Sequence, residues 1–264
     1  MRQTDPPGGK LARAAVRHTL ERMTDFDPGS YPPAMPHEPV QKVAPDLFFV
    51  GGSFDINALM RVSRNMVVVR QGDELTLVNP MRLSPDGEAE LEELGTVRHA
   101  VRLGCFHGVD DAYTVARFGA EFWCQANSTH HAEPKPDHVL SEGGELPIAG
   151  ATLLEFQDSK RPECVLRHPA GKGTLLTCDS FQHYGTMERH SLVARIAMPF
   201  LGFRKTLLIG PLWLKYMTPK EGTLRPDFER IAGLQFDALI SAHGTPMMAG
   251  AHDAMRYAID YAYR

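Results

Sequence analysis

The sequence predicts an α/β protein in which two β-sheets pack face to face with helices on the outside. Three observations predict it. Apolar stretches of strand length alternate with helix-spaced stretches. That alternation runs through the chain twice. With 43% apolar and 23% charged residues in a chain of 264, there is enough core for two packed sheets.

Residues 1–44 read as an N-terminal arm. Leu11 to Met23 carries a weak helical stripe, and the following DFDPGSYPPAMPHEP holds six prolines or glycines, which forbid a regular element. Residues 45–264 read as one domain. LFFVGGSF is a strand with a glycine bend, and NMVVVR and ELTLV form a hairpin across the Gly72-Asp73 turn. Ser84 to Leu94 is a helix with Pro85 in its first turn. His99 to Leu103 is a buried strand, Asp110 to Phe118 a helix, and Ala120 to Cys124 the next strand. Ala151 to Phe156, Cys164 to Arg167 and Thr174 to Thr177 then read as three strands. An irregular, apolar region at about 184–224 follows. Pro226 to Leu234 is a helix, Phe236 to Ser241 a strand, and Ala249 to Tyr263 a closing amphipathic helix.

Composition narrows the function. Lys plus Arg is 28 against 32 Asp plus Glu, a balance of −4 with no basic block, which argues against a nucleic-acid partner. Runs such as Thr206 to Leu214 are far shorter than the roughly 18–20 residues of a membrane span. The four cysteines, Cys105, Cys124, Cys164 and Cys178, form no CxxC pair, so no zinc ribbon or thioredoxin-type centre is expected. The opening MRQTDPPGGK has no apolar signal core, and the expected location is the cytoplasm with reduced thiols.

Four stretches just after predicted strands carry polar side chains that need explaining: LGCFHGVDD (103–111), DSKRPE (158–163), TCDS (177–180) and SAHG (241–244). Loops at strand ends are where open sheets place their sites. Asp179 follows the apolar run LLTC, where an unpaired carboxylate would be expensive to desolvate. His107, Asp110, Asp179 and His243 together would make a His₂Asp₂ shell suited to Zn, Fe or Mn, with Cys105 able to add a thiolate at the rim. Each also has an ordinary reading. Asp179 can cap a turn, His243-Gly244 can be a tight turn, and His183 reads as a loop histidine. His130 and His131 sit in a polar loop and receive no role.

From about Asp46 onward, these motifs resemble the metallo-β-lactamase superfamily. FHGVDD is similar to its HxHxDH loop, TCDS to its bridging-Asp motif, and AHG at 242–244 to its closing GHG. The resemblance implies a four-layer αββα sandwich. It also shows departures. With His107 on the second His of the motif, Cys105 stands at the first His, Val109 at the Asp and Asp110 at the last His. A shift by one residue would make Asp111 the ligand. Lys160 replaces the middle-loop His, and Asn79 stands where the family has a buttressing Asp. The pattern resembles divergent members with a shortened ligand set. A Lys160 ammonium in the pocket would favour one metal, or none, over a pair.

The resemblance implies a metal-dependent hydrolase of a small ester, lactone or thioester-like substrate. His107, Asp110, Asp179 and His243 would hold one divalent ion, Asp110 or Asp111 would orient the hydroxide, and Lys160 or the metal would steady the oxyanion. The alternative is a sandwich that has lost its metals and binds a ligand or a protein partner. A further rival is iron-based redox chemistry, for which no flavin-binding companion domain is seen. Ile196 to Met217 reads either as an apolar lid over the pocket, selecting a greasy acyl or ring substrate, or as a homodimer surface.

Overall fold

The protein is described by a computed structural model covering residues 26–264 except 129 and 132; the Leu11–Met23 stripe lies outside these residues. Seven strands form one sheet in chain order: β1 (Gln41–Ala44), β2 (Leu47–Asn57), β3 (Met60–Gln71), β4 (Glu74–Val78), β5 (Thr96–Arg102), β6 (Glu121–Gln125) and β7 (His138–Leu140). The second sheet runs β13 (Ala238–Ser241), β10 (Thr174–Thr177), β9 (Cys164–His168), β8 (Thr152–Glu155). A two-stranded ribbon pairs β11 (Phe181–His183) with β12 (Leu207–Ile209). The helices are α1 (Pro85–Leu94), α2 (Asp111–Phe118), α3 (Leu192–Phe200), α4 (Pro211–Met217), α5 (Arg225–Ile231) and α6 (Ala251–Ala262).

The period-two pattern of the strands builds the layers. Leu47, Phe49, Val67 and Val69 point to the space between the sheets, where they meet Leu166, Leu176 and Ile240. Their neighbours Phe48, Val50, Met66 and Val68 point the other way, onto Leu91 of α1 and Val115 of α2. On the second sheet, Val165, Leu175 and Leu239 face Phe228 and Ile231 of α5 and Met255 and Ile259 of α6. The result is the four-layer αββα sandwich.

Local chemistry fixes the element ends. The Ser84 hydroxyl accepts from the Gly87 N–H and starts α1 ahead of Pro85, and the Ser191 hydroxyl does the same for α3 through Ala194. Three elements differ from the expectation. β3 begins at Met60, because buried Ser63, Arg64 and Asn65 interrupt its apolar run and hide its first half. The polar loop after β6 contains the short strand β7. The region 184–224 is not irregular throughout: it carries α3, β12 and α4. Within the arm, Phe26 stacks on Tyr31 and meets Tyr113 edge-on, and β1 joins the edge of the large sheet.

Parallel pairing sets up the site. β10 pairs with β13 in parallel, with Thr177 opposite Ser241. Two residues beyond that pair, both chains reach the same end of the sandwich, with Asp179 on one and His243 on the other. β5 ends beside them at the start of the loop carrying His107. Asn79, at the end of β4, ties the sheets together there: its Nδ2 donates to the Thr177 carbonyl (3.1 Å) and its Oδ1 accepts from the Leu103 N–H (3.2 Å).

Candidate metal centre

Three side chains from three loops converge. The Nε2 atoms of His107 and His243 lie 3.1 Å apart. Asp179 Oδ1 lies 3.0 Å from His243 Nε2 and 3.5 Å from His107 Nε2. Bonds of about 2.0–2.2 Å place neighbouring ligand atoms about 2.8–3.6 Å apart in a tetrahedral or octahedral shell, and all three separations fall in that window. Two imidazole nitrogens facing each other beside a carboxylate are a donor set a borderline divalent cation fits.

The surroundings aim the donors. The His243 Nδ1–H donates to the Ser63 carbonyl (2.6 Å), which leaves Nε2 for the cluster. The Ser63 hydroxyl accepts from the Gly244 N–H (2.7 Å), and Asn65 Nδ2 donates to the carbonyls of Ser241 and Gly244 (2.8 and 3.1 Å). Gly244 has φ +78°, and a Cβ there would run into the His183 carbonyl, so only glycine permits this turn. Beneath Asp179, buried Glu163 accepts from the Ser180 N–H and from the Trp213 indole N–H, both at 2.6 Å.

Electrostatics divide the two histidines. Burial pushes His107 below its ordinary value despite the Asp179 charge. Burial also pushes His243 down, but the Asp179 carboxylate and the Ser63 carbonyl outweigh it, and His243 lies above its ordinary value. Burial raises Asp179, yet His107 and His243 together hold it well below the usual carboxylate range. Asp179 is therefore an anion at any working pH.

The other expected site residues go elsewhere. Asp110 is outside the cluster because Arg64 Nη1 grips its Oδ2 at 2.6 Å and the Arg82 N–H donates to the same oxygen. Asp111 is not a ligand in the shifted register either: it is buried against Arg102, with Nη1 to Oδ2 at 3.0 Å. Neither carboxylate lines the cavities that open on the cluster. Lys160 is exposed and lines neither cavity above the cluster, because the loop turns its side chain outward while its N–H donates to the Met217 carbonyl. Cys105 does not join the three converging donors: it packs in the core beneath the loop, and burial with the nearby Glu163 pushes its thiol up to about 12. All four cysteines are buried and free. Among the described residues, a second group of possible ligands is Glu163, Cys178 and Asp179, which shares Asp179 with the first.

Sequence reading missed Arg64, Ser63 and Phe106. The signal was Ser63-Arg64-Asn65, three consecutive polar residues directly before the apolar run MVVV, which implies buried partners. Two cavities open on the cluster. A smaller one, about 210 Å³, is lined by Phe54, Arg64, Gly108 and Val109 together with the three donors. A larger one, about 380 Å³, reaches Asp179 and His243 under α3 and α4.

The layer order and likeness to solved structures define the fold: the chain has the metallo-β-lactamase fold. VMB-1 is 11% identical in sequence with a TM-score of 0.63, over 88% of this chain and 100% of that one. The metallo-β-lactamase FIM-1 from Pseudomonas aeruginosa, in a mono-zinc form, is 12% identical with a TM-score of 0.58, over 88% and 98%. A mutant flavo di-iron protein from Thermotoga maritima is 12% identical with a TM-score of 0.59; the match covers 87% of this chain and 62% of that one. No family model matches the sequence, and no curated protein does. Among the described residues, no helix is long and apolar enough to cross a membrane.

Proposed function

We propose that this protein is a metal-dependent hydrolase of a small ester, lactone or thioester-like substrate, with one divalent cation held by His107, Asp179 and His243. The observation that carries the reading is the convergence of these donors at 3.0–3.5 Å beside two cavities. Structural relatives described as mono-zinc and di-iron proteins support Zn or Fe, and the ligand types admit Mn as well. Such a cation lowers the pKa of water towards 7 and polarises a carbonyl.

The chain's own residues do the rest. Ser63 fixes the His243 tautomer, and Asp179 supplies the negative charge. Three protein ligands leave positions open to water and substrate, as a catalytic site requires. Charge balance favours one cation over two. Arg64 neutralises Asp110 and Arg102 neutralises Asp111, so with neutral imidazoles the donor set carries the single charge of Asp179. One divalent ion leaves a small excess of positive charge, whereas two would leave a large one in a largely buried pocket.

Metal analysis of freshly purified protein tests this. The expected result is about one Zn, Fe or Mn per chain, lost in His243→Ala, with hydrolysis of p-nitrophenyl acetate or a simple lactone that chelation stops and the metal restores. Protein that carries no metal, binds none on titration and keeps its melting temperature in chelator would refute it. The alternative, a metal-free sandwich that binds a ligand or protein partner, would then stand.

A further inference from the structure

The larger cavity has a composition that the hydrolase reading does not account for. Its mouth is built from exposed apolar side chains: Ile56 (56% exposed), Leu201 (44%), Leu212 (38%) and Tyr216 (60%). Its depths are formed by buried Met198, Phe203 and Trp213. Among the described residues, the only charged or titrating groups other than phenols on its wall are Asp179 and His243, at its floor.

Of its remaining polar groups, the Tyr216 hydroxyl is at the exposed mouth, the Trp213 indole N–H donates to Glu163, and Gln182 and Tyr184 serve each other. The Tyr184 hydroxyl donates to Gln182 Oε1 (2.8 Å), and Gln182 Nε2 donates to the Asp179 carbonyl (3.1 Å). A polar or charged substituent placed there would lose its hydration without gaining an anchor, which disfavours polar rings. Apolar surface gains by entering, and Met60 and Met198 can adapt their thioethers to a flexible guest.

The smaller cavity shares Ile56, Val62, Phe106, Asp179 and His243 with the larger, so the donors lie where the two meet. Arg64 lines the smaller cavity alone.

From this arrangement we infer that the substrate is an amphiphile: an ester or thioester whose aliphatic acyl chain fills the larger cavity, whose carbonyl lies at the donor cluster and whose small leaving group occupies the smaller cavity. This rests on the hydrolase reading for its chemistry, but not for its binding site. At about 30 Å³ for each water-sized heavy-atom group, 380 Å³ has room for about a dozen. Water attacks the carbonyl carbon, the bond to the leaving oxygen or sulfur breaks, and the products are the fatty acid and the alcohol or thiol; no redox partner is needed.

The test uses two measurements on the full chain. Metal-loaded protein is assayed with p-nitrophenyl esters from acetate to hexadecanoate. Metal-free protein is titrated with the matching saturated 1-alkanols, which bring no carboxylate to the Asp179 floor, by displacement of an uncharged apolar fluorescent probe. A buried methylene contributes about 0.8 kcal/mol, or about fourfold. The expected result is that kcat/KM and affinity both rise by up to that factor per methylene and level off near the dodecanoyl chain. In Leu201→Asp and Leu212→Asp, whose sites are exposed enough to accept a charge without unfolding, the dependence on chain length should flatten.

Affinity that climbs with chain length while no ester is hydrolysed upholds the acyl-chain site and overturns the hydrolase. Hydrolysis with no dependence on chain length upholds the hydrolase and overturns the acyl-chain site. Alkanols that fail to bind, or bind as well to Leu212→Asp as to the unaltered protein, also overturn it.

Discussion

Asn79 is where the structure allows a magnitude to be worked out. Its side chain bridges the two sheets just below the loops that carry His107 and Asp179, and it is buried. In Asn79→Ala the Leu103 N–H loses its acceptor, at a cost of about 1–3 kcal/mol for a buried orphan. The Thr177 carbonyl loses one of two donors, since the Ala242 N–H still reaches it at 3.1 Å, for about 0.5–1 kcal/mol. Asn79 also has φ +53°, a left-handed conformation that asparagine tolerates and alanine resists by about 1 kcal/mol. The expected loss is about 2.5–5 kcal/mol. Asn79→Gly keeps the first two costs and removes the third, so it should be about 1 kcal/mol less damaging. Urea denaturation of the three proteins, with unchanged m-values, reads both differences. A loss below about 1 kcal/mol in Asn79→Ala, or a glycine variant less stable than the alanine one, would refute the account of the bridge.

Two further predictions concern the site's supports. Burial pushes the Asp111 carboxyl up to about 6 from an ordinary 3.8, against the pull of Arg102. Its folded pKa is raised, so its stabilising contribution is full below pH 3.8 and is lost as pH rises through 6. That amounts to about 2 kcal/mol between about pH 4.5 and 7.5. Denaturation curves at both pH values should show this slope in the unaltered protein and lose it in Asp111→Asn; equal slopes would count against it. Gly244→Ala meets the His183 carbonyl and a φ of +78°, and should cost about 2–4 kcal/mol while displacing His243. An alanine variant as stable as the parent, by the same denaturation assay, would contradict that.

Much of the fold could be read locally because both strand faces are buried in different cores. Leu175 and Leu176, or Leu239 and Ile240, are adjacent in sequence yet pack in different layers, and a short, wholly apolar run bounded by polar residues is what such a strand requires. Asp179 and His243 stood out for the same reason, as polar stops after apolar strands. The FHGVDD loop was harder, because spacing does not say which way loop side chains point. Asp110 and Asp111 turn towards Arg64 on β3 and Arg102 on β5, and a sequence does not place those strands beneath the loop. α3 was hidden by its composition. Of its nine residues only Ala194 and Met198 are buried, and it carries Pro199 in its last turn, so its apolar stripe does not mark a core-facing side.

On the proposed one-cation reading, the same two arginines set how the protein would respond to losing the ion. In a metal-organised domain the ligands are held by the ion, and removing it unfolds the chain. Here each donor is held by protein. The His107 loop is pinned on both sides by the Arg64–Asp110 and Arg102–Asp111 pairs, His243 by Ser63, and the residue after Asp179 by Glu163. Chelator-treated protein should therefore remain folded, with its circular dichroism intact. Metal binding should then act as simple linkage, adding RT ln(1 + [M]/Kd), about 2.7 kcal/mol when free metal is a hundredfold above Kd. The check is a set of denaturation curves across a metal titration, with Kd measured separately. Collapse of the fold on chelation would mean that the ion, and not the arginine pairs, organises the loop. A stabilisation far above the linkage value would mean the same.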